Sequence, residues 1–157
     1  MKPDIGIKPE NLKAVCDALN ISLADLHVLY IKTRHAHWNV EGPDFHAKHI
    51  FFEEQYKELA DIIDQVAERI RSLGQPAAAT MGDFLKLTRL NEKSRKTNDS
   101  QGFIKELLED HEGIIKYLRG LIDPFADKYE DAGTSDFITG IMEMHEKMAW
   151  MLRSHLV

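Results

Sequence analysis

Five residues with metal-ligand chemistry, His37, His49, Glu53, Asp64 and Glu68, stand between positions 37 and 68 of this chain. Two imidazoles and three carboxylates make a mixed nitrogen and oxygen donor set. Such a set suits iron, zinc or manganese rather than copper(I) or calcium. His49 and Glu53 are four residues apart and share a helix face, as do Asp64 and Glu68. His37 precedes His49 by twelve residues, across a Gly42-Pro43 break, so it can face the same region from a neighbouring helix. The two groups cannot meet within one chain. At about 1.5 Å rise per residue, His49 and Asp64 are roughly 22 Å apart along one helix. Either they have separate roles or a second copy completes the site. If two copies pair these helices antiparallel about a two-fold axis near Glu58 and Leu59, His49 and Glu53 of one copy meet Asp64 and Glu68 of the other, twice per dimer. Taken singly, Asp-x-x-x-Glu is more often a solvated helix face and an apolar-stripe histidine more often a core residue. Five together, in a register that closes across a two-fold, weigh against coincidence. No Glu-x-x-His, the signature of an intrasubunit diiron bundle, occurs anywhere in the sequence.

Helical periodicity supplies the scaffold. A first helix starts near Pro9, a residue suited to a first turn, with an apolar stripe Leu12, Val15, Leu19, Leu26, Tyr30 that His37 continues. A second, long helix carries Phe45, His49, Phe52, Tyr56, Leu59, Ile63, Val66, Ile70 and Leu73 at alternating spacings of four and three. It stops at Gly74, with Pro76 just beyond. A short amphipathic helix with Phe84, Leu87 and Leu90, capped by Asp83, is expected next, followed by a polar loop over 91–100. A third long helix holds Phe103, Leu107, His111, Ile114, Leu118, Leu121 and Phe125. Gly133 separates it from a fourth, capped by Thr134 or Ser135, with stripe Phe137, Ile141, Met144, Met148, Met151. The pattern predicts an all-α four-helix bundle with a short helix in the connection between the second and third long helices, spanning residues 1–157 as one domain behind a short tail, 1–8. That connection, about 25 residues long, leaves the relative direction of those two helices undecided.

Composition narrows the class further. The chain is 157 residues long, with 43% hydrophobic and 29% charged residues and a net charge of −6. That charge argues against a general nucleic-acid binder and suits a protein that attracts cations. There is no run of eighteen apolar residues, and so no transmembrane helix is expected. Cys16, the single cysteine, sits in an apolar stripe and fits a reducing cytoplasm.

The run His37-Trp38-Asn39-Val40-Glu41-Gly42-Pro43, then Phe45, His49, Phe52-Glu53-Glu54-Gln55-Tyr56, then Asp64-x-x-Ala67-Glu68-Arg69-Ile70, resembles the Dps family, the ferritin-like DNA-protection proteins or miniferritins. The resemblance implies a homo-oligomeric shell of twelve subunits with ferroxidase sites at two-fold interfaces. It implies oxidation of iron(II), preferably by hydrogen peroxide, and storage of iron(III) inside. By position, His37, His49 and Glu53 would bind metal from one subunit, and Asp64 and Glu68 from its partner. Glu53 occupies a position where either acid occurs in the family. Trp38 matches the family's tryptophan beside the site, with packing an equally good reading. A cytoplasmic location follows, with nucleoid association left open.

Asp127, Glu130, Asp131 and Asp136 cluster near the start of the last helix, where acids complement the helix dipole. The resemblance adds that iron-uptake pores on three-fold axes are acid-lined there. Asp127 and Asp136 are the best matches; Ala132 takes one expected acid position, with Asp131 beside it. His111 and His145 read as structural core residues. DNA binding is expected to be weak: the tail offers Met1, Lys2 and Lys8 beside Asp4 and Glu10, and the basic loop Lys93, Arg95, Lys96 is short. The rival function is a DNA-compacting shell with little metal chemistry. The five-ligand register favours iron oxidation, and the poor tail disfavours the rival.

Overall fold

The computed structural model describes residues 3–93 and 95–157. Met1 and Lys2 of the anticipated basic tail lie outside the described residues. Helices α1 (Pro9–Asn39), α2 (Phe45–Ser72), α3 (Met81–Leu87), α4 (Ser100–Asp123) and α5 (Ala132–Arg153) follow in chain order, and a π-helical turn, Pro124–Lys128, links α4 to α5. Among the described residues there is no strand, only one isolated bridge between Glu41 and Asp99. Four long helices with a short one in the crossover are the predicted bundle.

Polar contacts at the two ends fix the helix directions that the sequence left open. Glu41 N–H donates to Asn98 O (2.9 Å) and Ser100 Oγ donates to Asp44 Oδ2 (2.8 Å), so α4 starts beside the start of α2. Arg69, near the end of α2, donates to Thr134 Oγ1 (2.8 Å) at the start of α5. The second and third long helices therefore run parallel, and the crossover runs the length of the bundle. Asp25, fully buried on α1, pins it. Its carboxylate accepts from Thr88 Oγ1 (2.9 Å), Arg89 N (2.6 Å) and both Arg89 Nε and Nη2 (2.8 and 2.5 Å). The Phe84 ring of α3 stacks on His27 of α1 at 3.8 Å.

The buried faces differ in detail from the expected stripes. On α2 the core residues are Phe51, Phe52, Gln55, Leu59, Ile62, Val66 and Ile70. Phe45 is exposed, and His49, Tyr56 and Ile63 lie along the edge of the core. On α5 the core runs Ile138, Ile141, His145, Met148, Leu152, and Met144 faces out. An α-helix turns 3.6 residues, so a strict four-three reading drifts across the true face. Two caps also differ. Thr80, not Asp83, caps α3 by accepting from Asp83 N–H. Asp131, not Thr134 or Ser135, caps α5 by accepting from Thr134 N–H (2.9 Å). Gly133 lies inside α5, and the separation comes from the π-helical turn at Pro124, a residue that cannot donate the next α-helical bond. Gly74 takes φ +84°, as a helix stop requires, and its missing Cβ leaves room for the Pro3 ring.

Helix α1 is long and apolar enough to cross a membrane by length and composition alone, against the absence expected from sequence. Its buried residues, from Leu12 to His37, are part of the bundle core, which accounts for the apolarity. Cys16 is buried there, and burial is the main reason its thiol is pushed up to about 11.

Candidate metal centre

The α1–α2 hairpin turns at Gly42, which adopts φ +128°, and this brings the last turn of α1 against the first turns of α2. There the His37 and His49 rings stack with centroids 3.8 Å apart and planes 20° from parallel. Each histidine is locked by the other's backbone. His37 Nδ1–H donates to His49 O (2.7 Å), and His49 Nδ1–H donates to His37 O (2.8 Å). A carbonyl only accepts, so the proton of each ring sits on Nδ1 and each Nε2 keeps its lone pair for a ligand. Tyr56 meets His37 edge-on at 5.2 Å, and Phe45 lies 5.3 Å from His49. His37 is buried and His49 half-buried, so the pair opens at one edge.

Glu53 lies one turn beyond His49 on the same face. Its carboxylate accepts from Lys57 Nζ at 2.5 Å. That hydrogen bond, then the Lys57 charge, then the two histidines hold its carboxyl below the usual range, and the same bond raises Lys57. Asp64 and Glu68 are exposed farther along α2. Among the described residues no three of His, Cys, Asp and Glu stand close enough to hold a metal ion. One chain thus brings together the two rings, sets Glu53 on the adjoining turn, and leaves Asp64 and Glu68 apart, as the rise along α2 requires.

Beside the ring pair stands a cation that the sequence reading did not single out. Arg34 donates to Tyr30 Oη (2.7 Å), and its guanidinium lies 4.6 Å from the Tyr56 ring centroid and 4.8 Å from that of Trp38. Spacings of four in Tyr30, Arg34 and Trp38 were the available signal, as was Glu53-x-x-x-Lys57 for the ion pair. Trp38 remains 60% exposed, so packing within one chain does not account for it. At the other end, Asp127 and Asp136 are exposed. Asp131 is only 2% exposed and holds Thr134 Oγ1 (2.5 Å) and Arg69 (3.4 Å). Its carboxylate serves the helix cap.

A parallel-crossover four-helix bundle with imidazole and carboxylate donors on its first helical pair defines a ferritin-like protein. The ferritin-like domain family matches residues 16–157. An uncharacterized low temperature-induced protein of Nostoc sp. (strain PCC 7120 / SAG 25.82 / UTEX 2576) is 42% identical over 153 residues, covering 98% of this chain and 86% of that protein. DNA protection during starvation protein 2 of Bacillus anthracis is 37% identical over 144 residues, covering 92% and 97%. The crystal structure of a Dps protein from Vibrio cholerae O1, described as a member of a broad superfamily of ferritin-like diiron-carboxylate proteins, superposes with TM-score 0.93 at 29% identity, covering 99% of this chain and 97% of that one. The chain belongs to the Dps family of miniferritins, whose general business is iron storage and DNA protection.

Proposed function

We propose that this protein oxidises iron(II), its substrate, at centres shared by two chains, preferably with hydrogen peroxide, and stores the iron(III) product inside a dodecameric cage. The observation that carries the proposal is the reciprocal lock on His37 and His49, which orients two Nε2 lone pairs beside Glu53 with no protein donor assigned to them. Locked tautomers are what a first ligand shell needs. Neutral imidazoles hold iron(II), and hard carboxylates favour the trivalent product. Asp64 and Glu68 of a two-fold partner complete the set. The single chain exposes several large apolar side chains, among them Ile31, Trp38, Phe45 and Ile50, which an assembly could bury. Removal of iron(II) and peroxide together is how such a cage would protect DNA without binding it tightly.

Complementation tests the shared centre directly. Cages of His49→Ala or of Asp64→Ala chains alone are expected to lose peroxide-driven iron(II) oxidation by more than about tenfold. In cages co-assembled from equal amounts of both variants, half of the dimers are mixed, and each mixed dimer carries one intact centre. About a quarter of the centres should therefore recover. No recovery in verified mixed cages would sink the shared centre, and wild-type rates in either parent would remove the ligand assignment.

We further assign Asp127 and Asp136 to an iron-uptake path. Asp127→Asn with Asp136→Asn should slow iron oxidation at low iron and leave the rate at saturating iron unchanged; unaltered uptake at low iron removes that role.

A further inference from the structure

Halfway along the bundle, His111 of α4 faces His145 of α5. Both are fully buried, at 0% exposure. Their Nδ1 atoms are 2.9 Å apart and their ring centroids 5.0 Å. Each Nε2 is buried and has no hydrogen-bond partner among the described residues. One proton shared between the Nδ1 atoms leaves one Nε2–H and one Nε2 lone pair orphaned. Each orphan costs about 1–3 kcal/mol, and leucine would fill either position without that cost. Neither residue touches the candidate iron centre, so the pair has no role in the proposed function.

The surroundings decide what could occupy it. Buried Leu107, Leu108 and Ile114 of α4 and Ile141, Met142 and Met148 of α5 flank the two histidines along their helices. The neighbouring carboxylates, Asp110, Glu112 and Glu146, are each paired with a cation, Lys32, Arg153 and Arg119 in turn. A hard divalent ion here would carry charge that no anionic ligand offsets. A soft monovalent ion is different. Met148 lies three residues beyond His145 and is 1% exposed; a helical side chain leans over the turn that precedes it, and for Met148 that turn holds His145. Two imidazoles and a thioether select copper(I). With metal–nitrogen distances of about 2.0–2.1 Å, this nitrogen separation subtends about 90° at a metal, and a small ring rotation opens it toward a trigonal site. Helical bundles place metal sites on facing helices of the core; this one lacks the carboxylates that iron needs.

We propose that His111, His145 and Met148 form a buried copper(I) site in the bundle core, separate from the iron centre. The ion takes the place of the proton between the two Nδ1 atoms, that proton moves to the free Nε2, and both rings stay neutral.

Copper(I) is titrated anaerobically into the assembled protein against a chromophoric copper(I) chelator, with X-ray absorption reading the ligands. The His37→Ala/His49→Ala variant is the working background, since those rings also offer nitrogen donors. The expected result is one chelator-resistant copper(I) per chain with nitrogen and sulfur ligands. His111→Leu/His145→Leu removes both nitrogen ligands and should abolish the chelator-resistant copper(I). Met148→Leu, a volume-conserving change that keeps the core packed, should abolish the sulfur signal, which keeps the proposal testable if the double variant fails to fold. Cys16→Ser should change nothing. The proposal is overturned if the background protein takes no copper from the chelator, if the sulfur signal survives Met148→Leu, or if it disappears with Cys16→Ser.

Discussion

At the scale of single residues, the candidate centre is held by contacts that compete with its task. Lys57 grips Glu53, the carboxylate set one turn beyond His49. In the proposed centre, iron would compete with that ammonium for the carboxylate, of which Lys57 holds only Oε1. Both partners are solvent-accessible, so the competition is weak. Lys57→Met should lower the iron(II) concentration needed for half-maximal oxidation by less than about fivefold and leave the saturating rate unchanged. A rate profile over iron concentration checks this; a rise in the iron requirement would mean that Lys57 helps to place the carboxylate. Residue types and spacing made His37, His49 and Glu53 legible in the sequence. The carbonyl lock was not, because it depends on how closely two backbones approach after the Gly42 turn, and no local spacing encodes that distance.

At the scale of elements, α5 shows what sequence does and does not specify. A helix beginning near Gly133 was legible from periodicity, yet its cap was misassigned. Asp131, Thr134 and Ser135 are all good caps, and the choice is made by Arg69 of α2, which meets both Asp131 and Thr134. Likewise, the direction of α4 relative to α2 is set by end contacts such as Ser100–Asp44, not by the length of the crossover. The core faces of α2 and α5 were legible only to within about one residue, because apolar side chains at the rim extend a stripe that tertiary packing then trims. Asp131 now belongs to stability. Asp131→Ala removes a cap and the carboxylate that faces Arg69, which keeps Thr134, and should cost about 2 kcal/mol in urea unfolding. Asp127→Ala, at an exposed site, should cost less than about 0.5 kcal/mol. Equal costs at the two positions would show that neither the cap nor the Arg69 contact contributes.

At the scale of the whole molecule, the bundle carries two uncharged imidazoles where most cores carry leucine, and acid acts on them. Burial lowers His145 to about 3 and is the main cause that holds His111 well below its ordinary value, where the charge of His145 opposes protonation further. Unfolded, both titrate near 6.5. Above that pH neither state takes a proton, and the pair has no pH-dependent effect. Below it the unfolded chain binds protons that the folded chain refuses. Folding is then weakened by up to about 1.4 kcal/mol per pH unit for each histidine, until pH reaches the folded values. Carboxylates such as Glu53 and Asp99, held below their usual range, lose their own stabilising contributions only at lower pH. His27 and His155, also lowered chiefly by burial, and Asp110, raised by burial, act in the same window between about pH 6 and 4.5, so the pair is isolated by comparison with a variant that lacks it. Urea unfolding of the metal-free wild type and of His111→Leu/His145→Leu, measured across that window, should diverge steadily as pH falls, with the variant the more stable. Parallel curves would show that the two rings are protonated in the folded bundle, and that the layer between α4 and α5 admits water and charge.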